Sequence, residues 1–202
     1  MKKFELTAEF VTNAFGRKLF RIKALVAFGN VEKGELGGFV EKEDNLSHDG
    51  DAWVTGDARV TDNAWVTGDA WVTDNAMVTD NAWVTGDARV TDNAMVTGNA
   101  RVTGDARVTD NAMVTGDAMV TGDADYAVVK GFGRYFRATT FFRCKDKILR
   151  VQCGCFYGDL AQFREIVKKT HGDSKYAKEY LAIADLMELH FSDADANQEA
   201  SE

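Results

Sequence analysis

From Trp53 to Ala124 the chain is one six-residue unit written twelve times without a break, (Trp/Met/Arg)-Val-Thr-(Gly/Asp)-(Asp/Asn)-Ala. Val recurs from Val54 to Val120, and Ala follows four residues behind each, from Ala58 to Ala124. A repeat of fixed period decides the architecture before any other feature does. A period of six excludes an amphipathic helix, whose apolar stripe needs spacings of three and four. Ala-x-Val-Thr alternates instead, with small and aliphatic side chains on one side of a short strand and Thr and the variable residue on the other. The Gly-Asp or Asp-Asn pair that follows favours turns with positive φ. Three such strands closing a triangle make an 18-residue coil with Val and Ala inside, so the twelve units make four coils. At about 4.8 Å per stacked strand the prism stands roughly 19 Å tall.

The rest of the composition agrees with this reading. Among 202 residues there is no Pro, where average usage of about 5% would supply roughly ten. Every turn must therefore come from Gly, Asn and Asp. No stretch reaches the ~20 apolar residues of a membrane span, and Met1-Lys2-Lys3-Phe4-Glu5 leads into no signal-peptide core. Three Cys form no disulfide framework. These features point to a soluble, cytoplasmic protein.

The repeat resembles the hexapeptide-repeat family of left-handed parallel β-helices, whose aliphatic-then-small rule it meets in all twelve units. The lead-in Gly37-Gly38-Phe39-Val40-Glu41-Lys42-Glu43-Asp44-Asn45-Leu46-Ser47 resembles the segment before the first coil in bacterial, phage and prophage members, some of which carry a transferase label. The resemblance implies left-handed coiling and a bacteriophage or prophage setting in a bacterial cell. The fold expected is mainly β: an N-terminal β cap and lead-in over 1–52, the β-helix over 53–124, a ββαα cap over 125–192 and a disordered tail over 193–202.

Positions 18 apart should stack. One face then carries Trp53, Trp71, Arg89 and Arg107, the second Arg59, Met77, Met95 and Met113, and the third Trp65, Trp83, Arg101 and Met119. Exposed Trp and Met columns suggest an interface, either with further copies in a dimer or trimer or with the chain's own ends. One corner is Gly-Asp in every coil, giving the ladder Asp69, Asp87, Asp105 and Asp123. Carboxylates so spaced are candidates for Ca²⁺, although turn chemistry alone accounts for them and no cofactor is expected. Of the net charge of −8, the repeats hold −7, from 11 Asp and four Arg. An acidic prism of this kind is either solubilising or a nucleic-acid mimic.

Residues 4–46 contain two β-like runs, Phe10 to Phe15 and Leu19 to Phe28, suited to a hairpin that closes the first coil. After the repeats, residues 126–150 carry seven bases, Lys130, Arg134, Arg137, Arg143, Lys145, Lys147 and Arg150, against one acid. The aromatics among them make a stacking platform for nucleic acid conceivable, but a sheet with rings inside and charges outside is the simpler account, and nucleic acid is not expected. Two strands, Phe141–Cys144 and Ile148–Cys153, should lead to a helix opened by Asp159 and Gln162 and a second one capped by Ser174. Cys144, Cys153 and Cys155 with His171 make a four-ligand zinc set only in count, since C-x8-C-x-C is no common zinc spacing.

The resemblance also raises an acyltransferase, with a catalytic His on a loop projecting from the coils. Here all three His lie outside the repeats, and His48, beside Asp49 and Asp51, is the sole candidate base. Ranked Thr suggest an ice-binding face, but Trp, Met or Arg occupies the second outward position. The remaining expectation is a non-catalytic binding or assembly module. In the implied phage setting it would act as a counter-defence protein that blocks a host protein or sequesters a small nucleotide, with Arg89, Arg101 and Arg107 meeting phosphates.

Overall fold

The computed structural model describes residues 1–192; the tail expected to be disordered lies outside the described residues. Twelve two-residue strands, β4 (Trp53–Val54) to β15 (Met119–Val120), recur at every sixth residue and stack in three parallel columns. Register is 18 residues throughout, as in Trp53 with Trp71 and Val90 with Val108. Every Val and Ala of the repeat down to Val120 is buried and forms one continuous core. The molecule is a parallel β-solenoid, and the stacking predicted from the sequence is the stacking seen.

The corners explain the choice of residues. At the position after Thr the backbone is left-handed in eleven of the twelve units, with Gly at φ 62–71° or Asp at φ 58–62°. Only Gly, and less readily Asp and Asn, adopt this conformation without a large penalty. The Gly-Asp corner is also crowded. A Cβ on Gly68 or Gly86 would lie 2.9 Å from the backbone nitrogen of the Gly one coil below.

The lead-in forms a further turn above these four. Strand β3 (Leu36–Val40) pairs in parallel with β5 (Arg59–Val60), and Leu46 bridges Val66. The Asn45 side chain, fully buried, donates to the carbonyls of Asp62 and Ala64 at 3.2 and 2.8 Å. Val40 and Leu46 are six residues apart, as the valines are, but Leu46 to Val54 spans eight, so the lead-in pairs 20 residues on; Glu43–Asn45, a short 3₁₀ turn, further disguises the period. Beyond β3 lies the expected hairpin, β1 (Phe4–Thr12) and β2 (Lys18–Ala24), antiparallel and joined to the solenoid edge. Its tip is tied down by Arg17, which bonds Asp62 and lies 3.4 Å from Glu41. The hydroxyls of Thr79 and Thr61, with Arg17, hold the Asp62 carboxyl below its usual range.

Lys3, just before β1, is almost wholly buried. Its ammonium donates to the carbonyls of Gly50 and Ala52 at 3.0 and 2.9 Å and stands 4.7 Å over the Phe28 ring. Desolvation outweighs nearby Asp51, Asp49 and Asp69 and lowers its pKa from 10.5 to about 8. Between those values the unfolded chain holds a proton that the folded chain has released, so stability should rise with pH across that window. Urea midpoints should increase from pH 8 to pH 10 in the native chain relative to Lys3→Met; parallel curves for the two proteins would exclude this role.

The other end is closed by an antiparallel sheet, β16 (Tyr126–Val129), β17 (Thr139–Arg143), β18 (Leu149–Cys153) and β19 (Phe156–Asp159). The two strands read from the sequence are its middle pair. Phe142 and Cys144 join the solenoid core, and Thr140 Oγ1 accepts the Met113 N–H at 2.9 Å, a backbone group the last coil would otherwise leave open. On the far side, α1 (Leu160–His171) and α2 (Lys175–Ser192) pack over Phe141 and Val151. Helix α1 starts as expected: Asp159 accepts from the Gln162 N–H, and Gln162 reaches back to the Asp159 N–H. Leu160, Phe163 and Val167 face inward; on α2 Tyr180, Ile183 and Met187 do so, whereas Tyr176 stays 37% exposed.

Candidate functional site

The outward columns divide according to what the two ends cover. Trp53 is fully buried, edge-on to Phe4 at 6.5 Å and to Phe28 at 5.4 Å. It leaves the set of candidate interface residues, because the N-terminal strand and loop lie over it. Trp71 below is half-buried against the same core, and Arg89 and Arg107 are exposed. On the second face Met77, Met95 and Met113 are half-buried. The third face is different. Trp65 and Trp83 meet edge-to-face at 5.2 Å, Trp83 is 40% exposed, and the Arg101 guanidinium stands 5.2 Å from the Trp83 ring.

Below Trp83 this face runs into a hollow of about 600 Å³ between Asn81, Asn99, Arg101 and Asp117 of the solenoid and the β17–β18 turn carrying Lys145 and Asp146. The turn is fixed in place: the Lys145 N–H donates to the Asp117 carbonyl at 3.3 Å, and Asp146 accepts from Ile148 and Arg150. The solenoid wall is built by one corner of the repeat. Lys42 donates to Asn63 at 3.2 Å, Asn63 to Asn81 and Asn81 to Asn99 at 3.3 Å each, and Asn99 to Asp117 at 3.1 Å. Each amide donates downward and accepts from above, with a cation at the head and a carboxylate at the foot. Such aligned dipoles reinforce one another. Each Asn keeps a second N–H for a ligand.

Among the described residues Arg101 and Lys145 have no ion-pair partner, whereas Asp146 is paired with Arg150. The hollow therefore presents a part-exposed indole, a guanidinium, an ammonium, amide groups and the Asp117 carboxylate within one concave surface. Sequence reasoning named Trp83, Arg101 and Lys145 but placed Lys145 in a different feature. It missed Asn81, Asn99 and Asp117, although the second corner's Asp-Asn, Asp-Asn, Gly-Asn, Gly-Asp series marks this column.

The other candidates lie outside this hollow. His48 lies in the corner that joins Ser47 to Trp53 through five residues, where three, Gly68–Ala70, make the same corner one coil below. His48 Nδ1 accepts the Lys3 backbone N–H at 3.2 Å, which leaves the proton on Nε2, 2.7 Å from Glu43, and the ring lies 4.4 Å from Phe4. In the Asp ladder, Asp69 accepts the Asp51 N–H and Asp123 the Arg107 N–H, both at 2.9 Å; Asp87 and Asp105 are exposed. Among the described residues no group of three or more His, Cys, Asp and Glu is arranged for a metal.

The basic stretch is split over three surfaces. Arg143 lies over the Phe191 ring and bonds the Phe191 carbonyl, Lys145, Lys147 and Arg150 sit at the β17–β18 turn, and Lys130, Arg134 and Arg137 belong to the β16–β17 loop. The cysteines are likewise separated. Cys144 belongs to the solenoid core, where burial raises its pKa; Cys153 packs against the helices beside Tyr180, and Cys155 is exposed. No family model matches the chain, and no curated protein matches it either.

Proposed function

We propose that the chain is a non-catalytic binding module of the hexapeptide-repeat, left-handed β-helix kind, whose third face holds a small anionic ligand bearing an aromatic ring, as in a nucleotide. The observation that carries this reading is the Trp83–Arg101 pair beside Lys145, which has no ion-pair partner among the described residues. A base stacks on an exposed indole, and phosphate is met by guanidinium and ammonium groups. The resemblance of the repeats and of Gly37–Ser47 to phage and prophage members supports a counter-defence role in the bacterial cytoplasm: sequestering such a ligand, or blocking a host protein on the same face. The half-buried Met77, Met95 and Met113 support self-association as a dimer or trimer. The engaged nitrogens of His48 favour this reading over an acyltransferase, which needs a base within reach of substrate.

Titrating the protein with AMP and ATP tests the site through tryptophan fluorescence. Saturable quenching is expected in the native chain, and Trp83→Ala or Arg101→Gln should weaken it at least about tenfold with the melting temperature unchanged. An unquenched native chain, or a Trp83→Ala variant that binds normally, overturns the site. Sedimentation tests the assembly separately, and a monomer at all concentrations would overturn it.

A further inference from the structure

A second concave site lies in the C-terminal unit, away from the solenoid face. It is an open hollow of about 190 Å³ between β18, β19 and the two helices, with Phe156 and Ile166 over the buried Phe163 and Val167, and Arg134 and Arg137 also lining it. Its rim is the loop between β16 and β17. Gly133 pins this loop to α2: its N–H donates to Glu179 at 2.9 Å, and a Cβ there would lie 2.1 Å from the Tyr180 hydroxyl, so only Gly permits the approach. Three residues on, Phe136 is held at φ 52° and is 65% exposed. A bulky residue in the left-handed region is an outlier, and such strain concentrates at ligand clamps.

The same loop carries two guanidinium groups with no acidic partner among the described residues. Arg134 and Arg137 both lie over the Tyr135 ring, at 5.6 and 5.0 Å, and Arg137 rests against the backbone of Gly154, where a Cβ would be 2.8 Å from its Nη1. Both arginines line the mouth of the cavity, with His171 beside them. The nearby acid, Glu179, is already engaged by the Gly133 N–H and by Lys175 at 3.5 Å. In a chain of net charge −8, an apolar slot whose rim is cationic selects by both shape and charge.

We infer that this slot binds a small organic anion, with a ring-sized apolar body against Phe156 and Ile166 and a terminal carboxylate or phosphate on Arg134 and Arg137. Burial pushes the Tyr180 phenol up to about 12, which keeps its hydroxyl available as a donor to the entering group. Arginine suits this position because its planar fork meets either oxyanion with two parallel bonds. The inference is independent of the solenoid face and requires no second copy.

Calorimetric titration of the full chain with benzoate, phenyl phosphate, benzamide and inorganic phosphate tests it. Benzoate or phenyl phosphate should bind, and which of them binds more tightly identifies the oxyanion. Uncharged benzamide and ring-free inorganic phosphate should each bind at least about tenfold more weakly. The double variant Arg134→Gln, Arg137→Gln, both exposed, should lose at least about tenfold with an unchanged melting temperature. Trp83→Ala should bind these probes like the native chain, which separates this site from the solenoid face. No heat with any probe, inorganic phosphate binding as tightly as phenyl phosphate, or full affinity in the double variant would each overturn the inference.

Discussion

Trp53→Ala should lower the unfolding free energy by about 3–5 kcal/mol, the range for a large aromatic removed from a packed core. Trp53 is the largest fully buried side chain, and it joins three segments: β1 through Phe4, the β2–β3 loop through Phe28, and β3 through Gly37, where a Cβ would come within 2.7 Å of the indole. Its Nε1 is buried without a hydrogen-bond partner, so Trp53→Phe, which removes the orphan donor and keeps a ring, should recover much of the loss. In a solenoid each coil contacts only its neighbours. Hydrogen exchange should therefore accelerate at Phe39, Trp53 and Trp71 while the amides of the last coil keep their protection. Denaturation within about 0.5 kcal/mol of the native chain would mean that the N-terminal hairpin contributes no packing.

Gly104→Ala is expected to be the most damaging single-methyl change within the repeats, at about 2–4 kcal/mol. Gly104 sits at φ 62°, and an added Cβ would lie 2.3 Å from the Thr121 carbonyl oxygen, a backbone atom that cannot step aside. Gly122, one coil on at the same corner, is the control. Its φ is −160° and a Cβ would meet nothing within 4 Å, so Gly122→Ala should stay within about 0.5 kcal/mol of native. Equal urea midpoints for the two variants would contradict this account of the corner. The pair separates steric demand from the general cost of losing a glycine.

The solenoid was readable because its information is local and repeated. One alternation fixes the strand, one dipeptide fixes the corner, and the 18-residue register follows from closing three strands. The lead-in coil was harder to see, since Glu43–Asn45 interrupts the pattern and the buried Asn45 amide, a non-local device, takes over the bonds of the corner. Pairings across the chain were not readable at all. Nothing near Trp53 indicates that Phe4 will cover it, and nothing near Lys145 indicates that its turn will face Trp83. The two concave sites both lie at such junctions, where the end units fold back on the repeat or on themselves. The residues that line them were visible as types, but their meeting depends on three-dimensional closure.

The unbroken 18-residue register also acts as an angular gauge. Each coil returns the chain to the same azimuth, so the C-terminal unit leaves the stack at a heading set by how many hexapeptides precede it. A whole coil inserted between Ala88 and Arg89 would move that unit along the axis and leave its heading unchanged. A single added hexapeptide would swing it by a third of a revolution and carry Lys145 away from the face that bears Trp83. Such a chain would fold with its valines still inward, and the hollow would lose Asn81 and Trp83 while keeping Asn99, Arg101, Asp117 and Lys145. Length in this molecule is adjustable in steps, and only every third step preserves the alignment of its two ends.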